Sequence, residues 1–166
     1  MAEEAAKVGQ ASLTASETGD LSLTGCQLKK FPDGICLMLK HTQINSVDIS
    51  INSIQILSAK FFTTFHAITI LNISSNKLSD LPDQASLLTL LKILNASHNE
   101  FIQIPDSIRK IPSLAVLNLT SNNITNVTTE CFMFLPSLTD VTLSDNPLTD
   151  TSLSSLHSVT TISIIL

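Results

Sequence analysis

The sequence of 166 residues predicts an α/β solenoid. We expect a horseshoe-shaped arc with a concave parallel sheet of about seven short strands and a convex side of 3-10, extended and short helical segments. Three observations support this prediction. An apolar pattern recurs along the chain, polar residues alternate with apolar ones inside that pattern, and an asparagine returns at intervals of 23 or 24 residues, at Asn52, Asn76, Asn99, Asn122 and Asn146.

Each repeat is predicted to contribute one strand. Leu71 and Ile73 flank Asn72, and alternate side chains of a strand point to opposite faces, so the two apolar residues point inward. Five copies carry the full pattern, namely Ile44-Val47-Ile49-Asn52-Ile54, Ile68-Leu71-Ile73-Asn76-Leu78, Leu91-Leu94-Ala96-Asn99-Phe101, Leu114-Leu117-Leu119-Asn122-Ile124 and Leu138-Val141-Leu143-Asn146-Leu148. A divergent copy precedes them at Leu21-Leu23-Cys26-Leu28, and a truncated copy follows at Val159-Ile162-Ile164.

The recurring asparagine follows each strand, where the chain turns away from the sheet. An amide side chain has two N–H donors and a carbonyl acceptor, so it can satisfy buried backbone groups of its own turn and of the neighbouring repeat. We therefore interpret the five asparagines as a structural ladder. Cys26 occupies the same place in the first copy, and a structural position is favoured there over a redox or metal-binding role, because a small thiol tolerates burial.

The segments that return from one strand to the next are of two kinds. Three contain an apolar residue followed by proline, namely Phe31-Pro32, Leu81-Pro82 and Ile104-Pro105. Proline fixes φ and disfavours a helical residue before it, so these returns are predicted to be extended or 3-10. Residues 58–66 and 128–135 instead favour a turn or two of helix. Their phenylalanines are predicted to be core residues, namely Phe61, Phe62, Phe65, Phe132 and Phe134.

The two ends of the array differ from its middle, because a solenoid exposes its core wherever no cap covers it. Residues 1–17 contain good helix formers and are predicted to be an N-terminal capping helix, ahead of a repeat domain at 18–166. At the other end, residues 164–166 are apolar and lie in the last predicted strand. An uncovered edge strand invites pairing, so we expect either self-association through it or a shortened form of a longer product.

The outward-facing strand positions form columns on the concave surface, because adjacent strands lie about 4.8 Å apart. One predicted column runs through Ser22, Asp48, Asn72, Asn95, Asn118, Thr142 and Ser163. The next runs through Thr24, Ser50, Ser74, Ser97, Thr120 and Ser144. The third runs through Asp20, Ser46, Ile70, Ile93, Val116 and Asp140. Its middle is apolar, whereas its ends are polar or acidic.

The apolar middle of the third column, with the polar residues around it, is predicted to bind a partner protein. The candidate residues are Asp48, Ile70, Asn72, Lys92, Ile93, Asn95, His98, Val116, Asn118 and Asp140. The alternative is that small polar side chains only keep the sheet face soluble. The face has no arginine, tyrosine or tryptophan, which favours weak affinity, or binding through an edge or loop.

Composition and charge exclude several classes of partner. Nine Lys and Arg against fourteen Asp and Glu give a net charge of −5, and no basic stripe could follow a phosphate backbone, so nucleic acid is not expected. The first residues do not resemble a secretory signal, and no apolar run approaches the roughly 20 residues of a membrane span. Three widely spaced cysteines suit a reducing compartment. A soluble cytoplasmic protein without a membrane role is expected.

The chain also lacks the sequence signatures of catalysis. Its four glycines form no phosphate-binding loop, and its four histidines are scattered without the spacing of metal ligands. No nucleophile elbow, metalloprotease motif or paired-carboxylate signature is present. The sequence therefore predicts neither an enzyme nor a bound cofactor or metal.

Residues 18–166 resemble the intracellular leucine-rich-repeat superfamily, and residues 28–35, 57–65 and 146–148 resemble a small single-domain member of it. The resemblance implies a curved parallel sheet and an intracellular setting. A non-enzymatic adaptor is the favoured function, and a regulatory subunit of an enzyme such as a protein phosphatase is the alternative. A secreted glycoprotein would instead use the Asn-x-Ser/Thr sequons at Asn72, Asn95, Asn118, Asn123 and Asn126.

Overall fold

The computed structural model describes residues 2–166, with side chains from residue 6 onward, and contains one seven-stranded parallel sheet in that range. The strands are β1 (Asp20–Ser22), β2 (Ser46–Asp48), β3 (Ile70–Asn72), β4 (Ile93–Asn95), β5 (Val116–Asn118), β6 (Asp140–Thr142) and β7 (Ser163–Ile165). They pair in chain order, each with the next. This arrangement confirms the predicted solenoid class and the expected number of strands.

The hydrophobic core lies directly behind the sheet and runs the length of the array. The middle residues of β1 to β6 are each at most 1 % exposed, namely Leu21, Val47, Leu71, Leu94, Leu117 and Val141. A second buried row follows two positions later, at Leu23, Ile49, Ile73, Ala96, Leu119 and Leu143. Burying one such aliphatic side chain contributes about 1.5–3 kcal/mol, so the stacking of neighbours supplies the stability that a single repeat lacks.

A helix, α1 (Ala2–Thr18), precedes the first strand. Ala15 is fully buried on it, while Val8 and Ala11 pack partly buried against the core. The helix ends at Gly19, whose φ is +80° and whose N–H donates to the Ala15 carbonyl at 2.9 Å. A Cβ at this position would lie 2.6 Å from the Asn45 amide nitrogen, so glycine is required both by its dihedral and by the close approach. The division at residue 17 into a capping segment and a repeat domain stays a prediction.

The convex returns differ from the expected pattern in two places, after Phe31-Pro32 and at residues 128–135. The return after Ile104-Pro105 contains the 3-10 turn Ile108–Lys110, and that after Leu81-Pro82 contains Asp83–Leu87. The return after Phe31-Pro32 was predicted to be extended or 3-10 and is instead the short helix α2 (Asp33–Met38). Proline fits immediately before a helix because the first helical N–H groups have no intrahelical partner. Residues 35, 36 and 39 are buried, which is the spacing of one helical face.

The prediction for the phenylalanines is correct for four positions and wrong for one. The helix α3 (Ala59–Thr64) buries Phe61 and Phe62 and is followed by the buried Phe65. Residues 128–135 were predicted to be a turn or two of helix and instead contain the 3-10 turn Thr129–Phe132, which buries Phe132. Phe134 is 70 % exposed, so it is not a core residue. A 3-10 turn has three residues per turn, and therefore residues 132 and 135 face inward while residue 134 faces solvent.

The last repeat contains a helix that the sequence analysis did not identify and a strand in a different register. The helix α4 (Asp150–His157) begins after Thr149, whose hydroxyl accepts a hydrogen bond from the Ser152 N–H at 3.3 Å. In β7, Ile164 pairs with Val141, so the predicted alignment through Ile162 is wrong by two residues. The observed alignment gives an interval of 23 residues from Val141 to Ile164, in keeping with the 23 or 24 residues between the preceding repeats. It moves Ser163 into the third column, where it pairs with Asp140.

The strand β7 pairs with β6 on one side, and Ile165 is 57 % exposed. Self-association through this strand stays a prediction, which sedimentation velocity of the 166-residue chain and of its Ile165→Lys variant can check.

One residue in each turn adopts a left-handed backbone conformation. It directly precedes the ladder asparagine in five repeats, at Ile51, Ser75, His98, Ser121 and Asp145, with φ between +52° and +57°. Residues other than glycine, asparagine and aspartate rarely adopt this conformation, and a β-branched residue does so least readily. Ile51 is therefore strained, although its side chain is 61 % exposed and packs little.

Replacing Ile51 by asparagine is expected to stabilise the fold by about 1 kcal/mol, because asparagine tolerates the left-handed region. Urea unfolding of wild type and I51N measures the change. The matched control is I56N, since Ile56 is 75 % exposed but does not have a positive φ. We expect it to leave stability within about 0.5 kcal/mol of wild type. A loss of stability in I51N would show that contacts of the Ile51 side chain outweigh its backbone strain.

Candidate functional site

The centre of the concave face is an apolar row across three adjacent strands. Ile70 pairs in register with Ile93, and Ile93 pairs with Val116. Ile70 is 42 % exposed and Ile93 is 39 % exposed, while Val116 is half-buried. They are exposed because the residues next to them in each strand point into the core, and parallel pairing brings equivalent positions of successive repeats side by side.

The apolar row continues into polar residues at both ends. On one side Ser46 and then Asp20 follow Ile70, and the Ser46 hydroxyl donates to Asp20 Oδ1 at 2.6 Å. On the other side Asp140 follows Val116 and accepts a bond of 2.7 Å from the Thr139 hydroxyl at Oδ2. The candidate residues taken from the sequence include Asp140 but omit Asp20 and Ser46, although all three belong to the same column.

The neighbouring column consists of side chains that brace the ends of their own strands. The side-chain oxygens of Asp48, Asn72, Asn95 and Asn118 each accept the backbone N–H two residues later, at 2.9 to 3.2 Å. Asn72 uses its amide nitrogen as well, donating to Asp48 Oδ2 at 3.0 Å. The amide nitrogens of Asn95 and Asn118 make no hydrogen bond to the described residues. Their N–H groups are therefore oriented by the braced oxygen and remain open to a ligand.

Asp48 carries the strongest polar network on the face. Burial raises the pKa of its carboxyl, but hydrogen bonds from the Ser50 hydroxyl, the Ser50 backbone N–H and the Asn72 amide outweigh burial, and the pKa lies below its ordinary value of 3.8. The Ser50 hydroxyl contributes a bond of 2.6 Å. Asp48 is thus an anion at neutral pH, held in one position.

Replacing Asp48 by asparagine is expected to reduce the acid sensitivity of the protein. A carboxyl whose pKa is lowered by folding stabilises the fold above its unfolded pKa, and this contribution disappears as the pH falls through the folded pKa. Wild type should therefore lose more stability than D48N between about pH 5 and pH 3. Urea unfolding across this range measures the difference, with D83N on the convex side as the control. Equal pH profiles for wild type and D48N would contradict the prediction.

The remaining candidate residues lie at the margins of the apolar row. Lys92 is exposed and directly precedes β4. His98 is exposed in the left-handed turn that follows the same strand. The structure therefore places all ten candidate residues on or beside five consecutive strands. It brings Lys92 and His98 to opposite ends of β4, so they do not form one cluster.

The ladder asparagines lie at the base of the turns and connect successive repeats. Asn99 is 7 % exposed, and its amide nitrogen donates to the carbonyls of Ile73, Ala96 and Ser97 at 3.0 to 3.2 Å. Its oxygen accepts the Leu78 N–H at 3.0 Å. Asn52, Asn76, Asn122 and Asn146 make the equivalent bonds. These side chains hold backbone from two repeats and leave no group free for a ligand.

The described residues are also compatible with neither a metal site nor a membrane-spanning helix. No group of three or more His, Cys, Asp or Glu in that part of the chain is arranged to hold a metal ion. No described helix is both long enough and apolar enough to cross a membrane. Cys26, Cys36 and Cys131 are free thiols, and burial raises the pKa of the Cys36 thiol above its ordinary value.

Comparison with known proteins places these features in a family. A leucine-rich-repeat family model matches residues 42–101 and 105–164. Leucine-rich repeat-containing protein 20 from Homo sapiens is 35 % identical over 94 residues, which cover 55 % of this chain and 50 % of the relative. The protein of the same name from Mus musculus is 33 % identical over 90 residues, covering 53 % of this chain and 48 % of the relative. The chain spans about half the length of the curated relatives that it matches.

A solved structure supports the same assignment. The crystal structure of an internalin from Listeria monocytogenes matches with a TM-score of 0.66 at 27 % identity, over 82 % of this chain and 37 % of the internalin. The family model covers more than half of the sequence. The chain belongs to the leucine-rich-repeat family.

Proposed function

We propose that this chain is a non-enzymatic adaptor that binds a partner protein on its concave sheet face. Leucine-rich-repeat domains are generally protein–protein interaction modules. The observation that carries the proposal is the exposed, in-register row of Ile70, Ile93 and Val116, beside the oriented amides of Asn95 and Asn118. An apolar centre with a polar rim is the usual organisation of a protein interface.

We assign this adaptor to the cytoplasm. The assignment is supported by the three free thiols, two of them buried, which suit a reducing compartment. A local structural use of Asn72, Asn95 and Asn118 also accounts for three of the Asn-x-Ser/Thr sequons, because each of these side chains braces its own turn.

The substitution Ile93→Asp is expected to abolish capture of a concave-face partner. It places a carboxylate in the middle of the apolar row, where a central contact residue contributes about 2 kcal/mol or more, equivalent to roughly thirty-fold in affinity. Proximity labelling in cells that express wild type or I93D measures the loss, with circular dichroism showing that both fold. The matched control is I56D, since Ile56 is 75 % exposed and lies outside the strands.

The proteins labelled by wild type and I56D but not by I93D are the concave-face partners. Retention of every labelled protein by I93D would reject this face as the binding surface. A phosphatase catalytic subunit among the lost proteins would favour the regulatory-subunit alternative. Labelling of secretory-pathway proteins would contradict the cytoplasmic assignment.

A further inference from the structure

The charges around the apolar row restrict the chemistry of its occupant. Asp140 lies one strand beyond Val116, and Asp20 lies two strands beyond Ile70 in the same column. Asp48 lies one strand beyond Ile70, in the neighbouring column. None of these three carboxylates forms an ion pair with a lysine or arginine among the described side chains. Each is engaged by hydroxyl or amide donors of the protein, but Asp20 and Asp140 each retain one oxygen without a described partner. Carboxylates therefore lie beyond both ends of the row.

Lys92 is also close to the row, but its position differs from that of the carboxylates. It directly precedes Ile93, the first residue of β4, so it lies beside the middle of the row. Lys92 would repel an occupant with positive charge near its centre. Positive charge at the two ends of the occupant would instead be attracted by Asp140 at one end and by Asp48 and Asp20 at the other. The pattern of the face is negative, apolar, negative across the strands.

The spacing of the row favours a helix over an extended segment. Adjacent strands lie about 4.8 Å apart, so the row from Ile70 to Val116 covers about 10 Å. Apolar side chains on one face of an α-helix recur about every 5.4 Å, whereas those on one face of an extended segment recur about every 6.7 Å. Three successive helical side chains therefore match the three strands closely, and an extended segment would be out of step by the third contact.

The N-terminal end of the row is bounded by α1. A groove of about 410 Å³ lies there, lined by Lys7, Gln10 and Thr14 of α1 and by Asp20 and Ser22 of β1. With Asp48 on the next strand, this end carries two carboxylates and one cation, so its net charge stays negative. A helix laid across the strands would end at this groove. The distance from Asp20 to Asp140 is five strand spacings, or about 24 Å, which corresponds to about 16 helical residues.

We infer that the occupant of the concave face is an amphipathic helix of a partner protein, lying across the strands, with three apolar side chains over Ile70, Ile93 and Val116 and a lysine or arginine about one turn beyond them at each end. This inference rests on the proposed function, since it names the partner of the same face. Phosphate-rich partners do not fit, because both ends of the row would repel them.

A helical peptide library displayed on yeast tests the inference. Its members carry leucine at positions i, i+4 and i+7 of an alanine-rich 18-residue background, while the positions one turn outside are randomised to Lys, Glu, Gln and Ala. The folded 166-residue chain is the target, and peptides that also bind I93D are removed. We expect lysine at both outer positions to be enriched over glutamate, on the order of ten-fold at low salt.

Charge reversal at one end supplies the second readout. In Asp140→Lys the preference at one outer position should change from lysine to glutamate, and the other position should keep its preference. Asp83→Lys makes the same change in charge on the convex side, and we expect it to leave both preferences unaltered. Equal enrichment of lysine and glutamate, or the absence of any peptide whose binding depends on Ile93, would overturn the inference.

The library and the labelling experiment separate the two proposals. If cellular partners depend on Ile93 but the library shows no lysine preference, the concave face is an interface and its occupant is not a helix with basic ends. If neither binding depends on Ile93, the proposed function fails as well.

Discussion

Asn99→Asp should destabilise the protein by about 3–5 kcal/mol at neutral pH, although the two side chains have the same shape. The amide nitrogen of Asn99 donates to three carbonyl oxygens in a site that is 7 % exposed. An aspartate would place a charged oxygen against those three acceptors, and each acceptor would keep only its other donor, from Asn76, Asn122 or the Ser75 N–H. The other carboxylate oxygen could still accept the Leu78 N–H. Urea unfolding monitored by circular dichroism measures the effect.

The control for this ladder position is Asn95→Ala on the concave face. Asn95 is half-buried and braces its turn by accepting from the Ser97 N–H and hydroxyl at 3.2 and 2.8 Å. Its removal should cost about 1 kcal/mol, since the freed groups can bond to water. If N99D were no more destabilising than N95A, the ladder would not be the main polar support of the turns.

Phe61→Ala should cost about 3–5 kcal/mol, the range for truncating a large buried aromatic side chain. Phe61 is fully buried, and its ring lies 4.9 Å from Phe31, 5.0 Å from Phe62 and 5.2 Å from Phe65, all in edge-to-face geometry. The substitution leaves a cavity in the core between α2 and α3 and removes three favourable ring contacts. Thermal and urea unfolding of F61A and wild type measure the loss.

Phe134→Ala is the matched control, because it removes the same atoms from a side chain that is 70 % exposed. We expect a change within about 0.5 kcal/mol. A loss in F134A as large as that in F61A would indicate that Phe134 is covered by contacts with another molecule in solution.

Most of the fold follows from two regular features of the sequence. The alternation around Leu71, Asn72 and Ile73 identifies a strand and its inner face, and the 23- or 24-residue interval brings equivalent residues into register. The columns of the candidate site follow from the same two features. For this reason the row of Ile70, Ile93 and Val116 could be predicted without coordinates, as could the family.

The wrong predictions concern the last two returns and the last strand, where the local backbone conformation differs from that of the earlier repeats. The sequence predicts Phe134 as a core residue because residues 128–135 resemble residues 58–66 in composition. Only the three-residue period of the 3-10 turn decides which of these side chains face inward. The helix α4 was missed although Thr149 and Asp150 are typical residues of a helix start. The predicted register of β7 is wrong for the same reason. Without the helix, the last strand is aligned with β6 by the similarity of its apolar side chains, whereas the repeat interval pairs Ile164 with Val141.

The hydrogen bonds between side chains of the candidate site could not be predicted from sequence patterns. Whether Asn72 points its amide nitrogen to solvent or to Asp48 depends on a rotamer and on the residue one strand away. The sequence pattern therefore identifies the outward-facing asparagines only as surface residues, whereas the structure shows that each also braces the turn after its strand.

The ladder gives the array a direction. Each asparagine bonds its own turn and backbone of the repeat before it, as Asn99 does with Ile73 and Leu78 and as Asn122 does with Ala96 and Phe101. The turn of one repeat is thus completed by a side chain from the next repeat, and loss of order in one unit removes the donors that its predecessor needs. Such an array behaves as a one-dimensional series of coupled units, in which disorder in one repeat removes hydrogen-bond partners from its neighbours.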